Sequence, residues 1–180
     1  MLDWAAFFSP QCVEELAKYE GLDWNCLTNT NSTPLHKAIG AGKSVSTKLI
    51  IDIPTLIDFT VQDNDGYTAA QLAAMSTFNK YDIECLKNLV NVDAADFNVT
   101  DSKGDTPLMW TLKNNKMDRF NVLVNCPRVD LNSKDKQGDT VALWALKNNN
   151  FDALETILTK PGVDVTIEDS NGDTLKKIAK

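Results

Sequence analysis

The sequence is short of the residues from which metal and redox sites are usually built. It has one histidine, His36, and four cysteines, and no two cysteines form a Cys-x-x-Cys pair. A tetrahedral zinc site would therefore need an unusual arrangement of ligands. Thiols without a spacing pattern indicate reduced, mostly buried cysteines in a reducing compartment. We predict no metal site and no cofactor. The cysteines are Cys12, Cys26, Cys85 and Cys126.

The chain is also short of positive charge and of long apolar runs. Its 18 Lys and Arg residues are outnumbered by 25 Asp and Glu residues, which gives a formal net charge of −7. This balance argues against non-specific binding to nucleic acids, which requires a basic surface. The N-terminus carries Asp3 and no basic segment, and no apolar run reaches the length of a membrane span. We expect no membrane association and a cytoplasmic location. A protein delivered into the cytosol of a host cell would have the same composition.

What the sequence does contain is a short motif that recurs along nearly the whole chain. Its fullest copy begins at Gly104 and reads Gly-Asp-Thr-Pro-Leu-Met-Trp-Thr-Leu. The threonines of successive copies are 35, 38, 34 and 34 residues apart. Such a period indicates a stacked array of structural repeats. The threonines are Thr33, Thr68, Thr106, Thr140 and Thr174.

The chemistry of the motif predicts the local structure. Thr106 has the hydroxyl of a helix N-cap, and Pro107 follows at the first helical position, where its missing N–H costs nothing. Gly104 supplies the positive φ of a tight turn that enters the helix. Each unit should therefore consist of a turn, a capped short helix, a second helix and a return loop.

The extended pattern Asp-x-x-Gly-x-Thr-Pro-Leu-His-x-Ala resembles the ankyrin repeat. Thr33 to Ala38 match the core of the pattern, and variants of the family's Gly-Ala-Asp-Val-Asn ending recur, as at Val129 to Asn132. The resemblance implies an all-α ankyrin-repeat solenoid of helix-turn-helix repeats joined by hairpin loops. The openings of the pattern lie at Asp63, Asp101, Asp135 and Asp169.

We predict a single domain over residues 1–180. A helix from Gln11 to about Tyr19, preceded by Ser9 and Pro10, should belong to an N-terminal capping helix pair. The chain ends on half a repeat, which is either a natural cap or the point where a longer protein continues. The predicted boundaries are 1–27 for the N-terminal cap, 28–62, 63–100, 101–134 and 135–168 for four repeats, and 169–180 for a partial fifth.

Two repeats depart from the pattern. In the first, Asn31 stands where the turn glycine is usual, and asparagine tolerates the left-handed region. The run from Val45 to Ile53 is rich in β-branched residues, but the repeat register predicts a helix there. In the second, the extra residues are Ser76 to Tyr81, which either cover the edge of the core or form a binding element.

Several residues suggest catalysis, but the repeat register gives each of them a structural role. The segment from Gly40 to Ser44 lacks the first glycine of a phosphate-binding loop, since Lys37 occupies that position. His36 matches the family histidine that forms hydrogen bonds within and between repeats. The aspartate of each opening should bind backbone amides, and Asn98 and Asn132 should close return loops. We predict no catalytic residue and no enzymatic activity.

Trp110 and Trp144 occupy equivalent positions, and we expect both to pack between repeats rather than to contact a ligand. Lysines cluster near them in the third and fourth repeats. This basic patch would favour a partner with an acidic segment, and a solvated charged face is the alternative. The lysines are Lys103, Lys113, Lys136 and Lys147.

The resemblance also implies a function. Turn tips and first helices line a concave groove that binds partners in this family, so the chain should be a monomeric protein–protein interaction module, such as an adaptor. It could act as a pathogen effector in host cytosol. Alternatives are an inhibitor that blocks an enzyme such as a kinase, or the recognition domain of a multidomain protein. The predicted contact residues are Asn64, Asp65, Tyr67, Met75, Ser102, Lys103, Asp105, Lys113, Asn114, Lys136, Gln137, Asp139, Lys147 and Asn148.

Overall fold

The computed structural model describes residues 9–53, 57–75 and 82–179, and over these ranges the chain is helical, with no strand. Its one antiparallel bridge in these ranges joins Gln62 and Thr68. The chain divides into two compact units, Met1–Asp96 and Phe97–Lys180. The helices are α1 (Pro10–Ala17), α2 (Pro34–Gly40), α3 (Ser44–Ile51), α4 (Ala69–Met75), α5 (Asp82–Leu89), α6 (Pro107–Lys113), α7 (Met117–Val124), α8 (Val141–Lys147), α9 (Phe151–Leu158) and α10 (Leu175–Ile178).

The recurring threonines begin the first helix of each pair, as predicted. Thr106 Oγ1 accepts a hydrogen bond from the amide of Met109, three residues along α6, and Pro107 occupies the first turn. At α2 the cap is reciprocal, because Thr33 accepts from the amide of His36 while the imidazole of His36 accepts from the amide of Thr33. A capping hydroxyl of this kind contributes about 1 kcal/mol to helix stability.

The second helix follows after three residues in the pairs α2–α3, α6–α7 and α8–α9. α3 includes most of the β-branched run from Val45 to Ile53, and the helix predicted there is confirmed. Its Ser46, Thr47 and Ile50 are buried, so the packing of this face overrides the local preference for a strand. The first unit is built by α3 packing against α1, α2 and α5, and by α4 packing against α2 and α5.

The second unit repeats this arrangement. α6 packs on α7, α8 packs on α9, and α8 also contacts α6 and α10. Phe120, Leu123, Leu143 and Ile157 are fully buried there. Truncating one such side chain to alanine costs roughly 2–5 kcal/mol, so stability depends on the stacking of neighbouring pairs.

Asparagine side chains join successive return loops. Asn98 Nδ2 donates to the carbonyl of Arg128 at 2.9 Å, and its Oδ1 accepts from the amide of Asp130 at 2.7 Å. Asn132 makes the equivalent pair of bonds to Gly162 and Asp164. The loop-closing role predicted for Asn98 and Asn132 is confirmed.

The N-terminal region differs from expectation in detail. α1 ends at Ala17 rather than at about Tyr19, and the Ser9 hydroxyl donates to the Gln11 side chain instead of capping the helix. Residues 1–8 of the predicted N-terminal cap and the insertion at Ser76 to Tyr81 lie outside the described residues. Within the ranges described, no helix is both long and apolar enough to cross a bilayer.

Candidate protein-binding surface

A hairpin turn precedes each of α4, α6, α8 and α10, and one aspartate shapes it from within. Asp101 Oδ1 accepts hydrogen bonds from the amides of Lys103 and Asp105, at 2.8 and 2.9 Å. Asp135 Oδ1 binds the amides of Gln137 and Asp139 in the same way. The predicted structural role of these aspartates is confirmed. The shared scaffold leaves the two residues at each tip free to vary, and both are exposed. In the second unit the tips are Ser102 and Lys103, Lys136 and Gln137, and Ser170 and Asn171.

Successive turns of the second unit touch through their glycines. A Cβ atom added to Gly138 would lie 2.7 Å from the amide nitrogen of Ser170, closer than real Cβ atoms come. A Cβ atom added to Gly104 would lie 3.0 Å from the amide nitrogen of Lys136. Ser170 Oγ also donates to the carbonyl of Gln137 at 2.6 Å. These contacts hold the exposed tips side by side.

The lysine that ends a first helix ties that helix to two turns. Lys113 Nζ lies 2.6 Å from Asp105 Oδ1, in its own turn, and 2.7 Å from Asp135 Oδ2, in the next. Lys147 makes the corresponding pairs with Asp139, at 2.6 Å, and with Asp169. The Asp135 and Asp169 side chains are only 1% exposed, so each ammonium neutralises a buried carboxylate.

The pKa values of Lys113, Lys147 and Asp169 are all shifted towards their charged forms. Burial acts to lower the pKa of Lys113, but hydrogen bonds to Asp105 and Asp135 outweigh it and raise that pKa above its usual value. The same balance raises the pKa of Lys147. The pKa of Asp169 falls to about 2, chiefly because Lys147 donates to it. The two lysines and Asp169 are therefore charged at neutral pH.

This network changes the interpretation of the predicted basic patch. Lys113 and Lys147 are internal counterions of aspartates rather than free positive charges. Lys136 Nζ donates to the carbonyl of Ser102 in the preceding turn, and Lys103 is exposed. Sequence reasoning missed the pairing because the partners lie 22 residues apart and meet only once the repeats stack.

Half of the predicted contact residues line one cleft of the second unit. It has a volume of about 470 Å³ and lies beside the tips that precede α6 and α8. The half-buried Trp110 forms part of its wall, and Trp144 is also half-buried, so both tryptophans keep some access to solvent. The predicted residues in the cleft are Ser102, Lys103, Asp105, Lys113, Asn114, Lys136 and Gln137.

Three of the predicted contact residues are poorly accessible. Met75 is 7% exposed, because its side chain packs into the first unit at the end of α4. Asp105 and Asp139 are 4% and 6% exposed, and their carboxylates are engaged by Lys113 and Lys147. None of these three side chains is free for a partner.

The remaining predicted residues lie near the surface. Asn148 is exposed, and its Nδ2 donates to the carbonyl of Trp144. One repeat earlier, Asn114 Nδ2 donates to the carbonyl of Trp110 in the same way. Asn64 and Asp65 are exposed at the tip that precedes α4.

A second cleft lies at that tip, within the first unit. Its volume is about 570 Å³, and its lining includes Asn64, Asp65, Asp63 and Gly40. The half-buried Tyr67 closes the same turn, and its carbonyl lies 3.1 Å from His36 Nε2. This contact confirms the structural role predicted for His36.

Comparison with known proteins identifies the family. The model described as ankyrin repeats (3 copies) matches residues 2–83 and 75–169. The chain belongs to the ankyrin-repeat family. Ankyrin repeats are a general protein–protein interaction module and generally a non-catalytic scaffold. A search of curated proteins found no match.

Solved structures agree with this fold at low sequence identity. The ankyrin repeat domain of Bcl-3, a member of the IkappaB family, is 20% identical with a TM-score of 0.77, over 95% of this chain and 73% of that one. An ankyrin repeat domain from Acinetobacter baumannii AYE is 19% identical with a TM-score of 0.75, over 98% and 88%. A chain from the complex of a Bdellovibrio bacteriovorus predatory endopeptidase with an immunity protein is 20% identical with a TM-score of 0.69, over 98% and 89%.

Proposed function

We propose that this ankyrin-repeat chain is a non-enzymatic module that binds a partner protein through the exposed hairpin tips of its second unit. One observation carries the proposal. Identical Asp and Gly scaffolds hold the turns in contact, while the exposed side chains on them differ from turn to turn. Constant scaffolds with variable tips suit a recognition surface, because the tip side chains can change without loss of the fold.

The cleft at Trp110 provides an anchoring point for that partner. A half-buried indole beside polar tip residues offers apolar area with hydrogen-bonding groups around it. The remaining lysines of the predicted basic patch, Lys103 and Lys136, are the residues through which an acidic segment of the partner would be attracted. The internal ion pairs of Lys113 reduce the net charge of this surface, so we expect charge to contribute less than the tip contacts.

The test is affinity capture from the cells in which the protein acts, including host cells if it is a translocated effector. The tip variant is Ser102→Arg with Gln137→Arg, which blocks the surface without touching the ion pairs. The control is Asn121→Arg with Glu155→Arg, at exposed positions of α7 and α9. Both variants should unfold at wild-type temperature. The partner should be lost only by the tip variant, and equal capture by all three proteins would refute this surface.

An inhibitor that acts by direct binding is the alternative. One structural neighbour comes from a complex of an endopeptidase with an immunity protein, which supports testing an enzyme as the partner. The two functions differ in a measurable way, because an inhibitor lowers the activity of a captured enzyme when added as the isolated chain. An adaptor, or the recognition domain of a longer protein, leaves that activity unchanged.

We also propose that the module works as a monomer in the cytoplasm or in host cytosol. The buried thiols of Cys85 and Cys126 support a reducing compartment, because such thiols persist where disulfides are kept reduced. Sedimentation equilibrium at micromolar concentration should give the mass of one chain.

A further inference from the structure

The cleft of the first unit lies where the second unit binds an ammonium group. The seventh residue of the first helices α6 and α8 is Lys113 or Lys147. The seventh residue of α2 is Gly40, which has no side chain to place there. The same position of the fold is thus filled by a lysine in two helices and left open in a third.

The carboxylate that would receive the ammonium is present. Asp63 Oδ1 accepts from the amides of Asp65 and Tyr67, both at 3.0 Å, just as Asp135 Oδ1 binds its own turn. Because Oδ1 is held identically and Asp63 lines the cleft, its Oδ2 corresponds to the Asp135 Oδ2 that binds Lys113. Over the described part of the chain, Asp63 has no ion-pair partner, and its side chain is partly accessible.

The other groups around the cleft suit a lysine side chain. Ser32 lines the cleft at the position equivalent to Asp105, where its hydroxyl donates to the carbonyl of Thr30, and Asp65 adds a negative charge to the lining. The local cation is Lys37, whose Nζ donates to Thr30 Oγ1 at 3.0 Å rather than to Asp63. The carboxylates of Asp63 and Asp65 outnumber the ammonium of Lys37, so the cleft carries a net negative charge.

We propose that this cleft binds a lysine side chain of the partner protein, with its ammonium on Asp63 Oδ2 and its methylenes over Gly40. The inference rests on the proposed protein-binding function and adds a chemical preference to it. Two internal lysines already demonstrate the geometry in this chain, at Lys113 with Asp135 and at Lys147 with Asp169. Ammonium–carboxylate contacts of this kind fix register and partner choice.

The first test fills the cleft from within. Gly40 has ordinary helical backbone, and a Cβ there would meet nothing within 4 Å, so substitution is tolerated. Gly40→Lys and Gly40→Met should both raise the urea midpoint, because glycine is a poor helix former. The urea midpoint of Gly40→Lys should lie above that of Gly40→Met. Adding Asp63→Asn to both variants should remove this difference. Equal midpoints for the lysine and methionine variants would overturn the proposal.

The second test uses the probe acetyl-Gly-Gly-Lys-Gly-Gly-amide in an NMR titration of the labelled full chain. The peptide should shift the amides of Gly40 and residues 63–67, and its norleucine analogue should not. Gly40→Lys and Asp63→Asn should weaken binding about tenfold or more. Shifts spread over acidic residues elsewhere, or unchanged binding by both variants, would overturn the proposal. So would stronger binding of calcium chloride than of the peptide, which would identify a metal site.

These outcomes are separable from failure of the proposed function. Asp63 and Gly40 lie in the first unit, whereas the capture test changes Ser102 and Gln137 in the second. A partner lost by the tip variant while the lysine peptide fails to bind would overturn only the lysine cleft.

Discussion

Replacing Lys113 with methionine removes an ammonium while keeping most of the side-chain volume. The change leaves the side chains of Asp135, 1% exposed, and Asp105, 6% exposed, without their shared cation. Removing one partner of a buried ion pair costs roughly 3–5 kcal/mol. We expect about 3 kcal/mol, near the lower limit, because Asp135 keeps two amide donors and Lys113 retains some solvent access.

Urea unfolding followed by circular dichroism measures this loss. With a urea dependence of about 2–3 kcal/mol per molar, the midpoint of the affected transition should fall by about 1 M or more. Lys103→Met is the matched control, since Lys103 is exposed at the tip of the turn that contains Asp105 and should change stability by less than about 0.5 kcal/mol. A loss for Lys113→Met no larger than for the control would refute the argument that this ion pair holds the turns together.

Three further predictions concern the turns. Gly138→Ala should cost at least about 1 kcal/mol more than Gly66→Ala in thermal unfolding, because both glycines have positive φ but only Gly138 meets a neighbouring backbone; equal losses would contradict that close approach. The depressed pKa of Asp169, about 2 against the ordinary 3.8, means that its stabilisation is present above pH 3.8 and lost as pH falls towards 2. Asp169→Asn should therefore reduce the dependence of the urea midpoint on pH over that range. A pH dependence as steep as that of the wild type would contradict the ion pair. Asn149→Gly should stabilise the chain by about 0.5–1 kcal/mol, because Asn149 has a positive φ of 56° that glycine adopts without strain. Asn148→Gly, at a φ of −100°, should not stabilise it. Similar urea midpoints for the two variants would argue against backbone strain at Asn149.

Local chemistry explains why much of the fold could be predicted from the sequence. Each capping threonine binds an amide three residues along the chain. Each turn aspartate binds amides at most four residues away. The helix pairs, the caps and the roles of His36 and Asn98 follow from such contacts.

What could not be predicted depends on contacts between repeats. Lys113 looks like a free charge in the sequence, and only stacking shows that it reaches Asp135. Met75 shares its helix position with Lys113, but packing buries it. The significance of Gly40 is invisible in its own repeat, because its missing side chain matters only beside the aspartate of the next turn.

The most direct test of the central claim is a hydrogen-exchange footprint of the chain with its captured partner bound. We expect protection at the turns around residues 102–103 and 136–137 and at the end of α6. Protection confined to α7 and α9, with these turns exchanging as in the free chain, would contradict it.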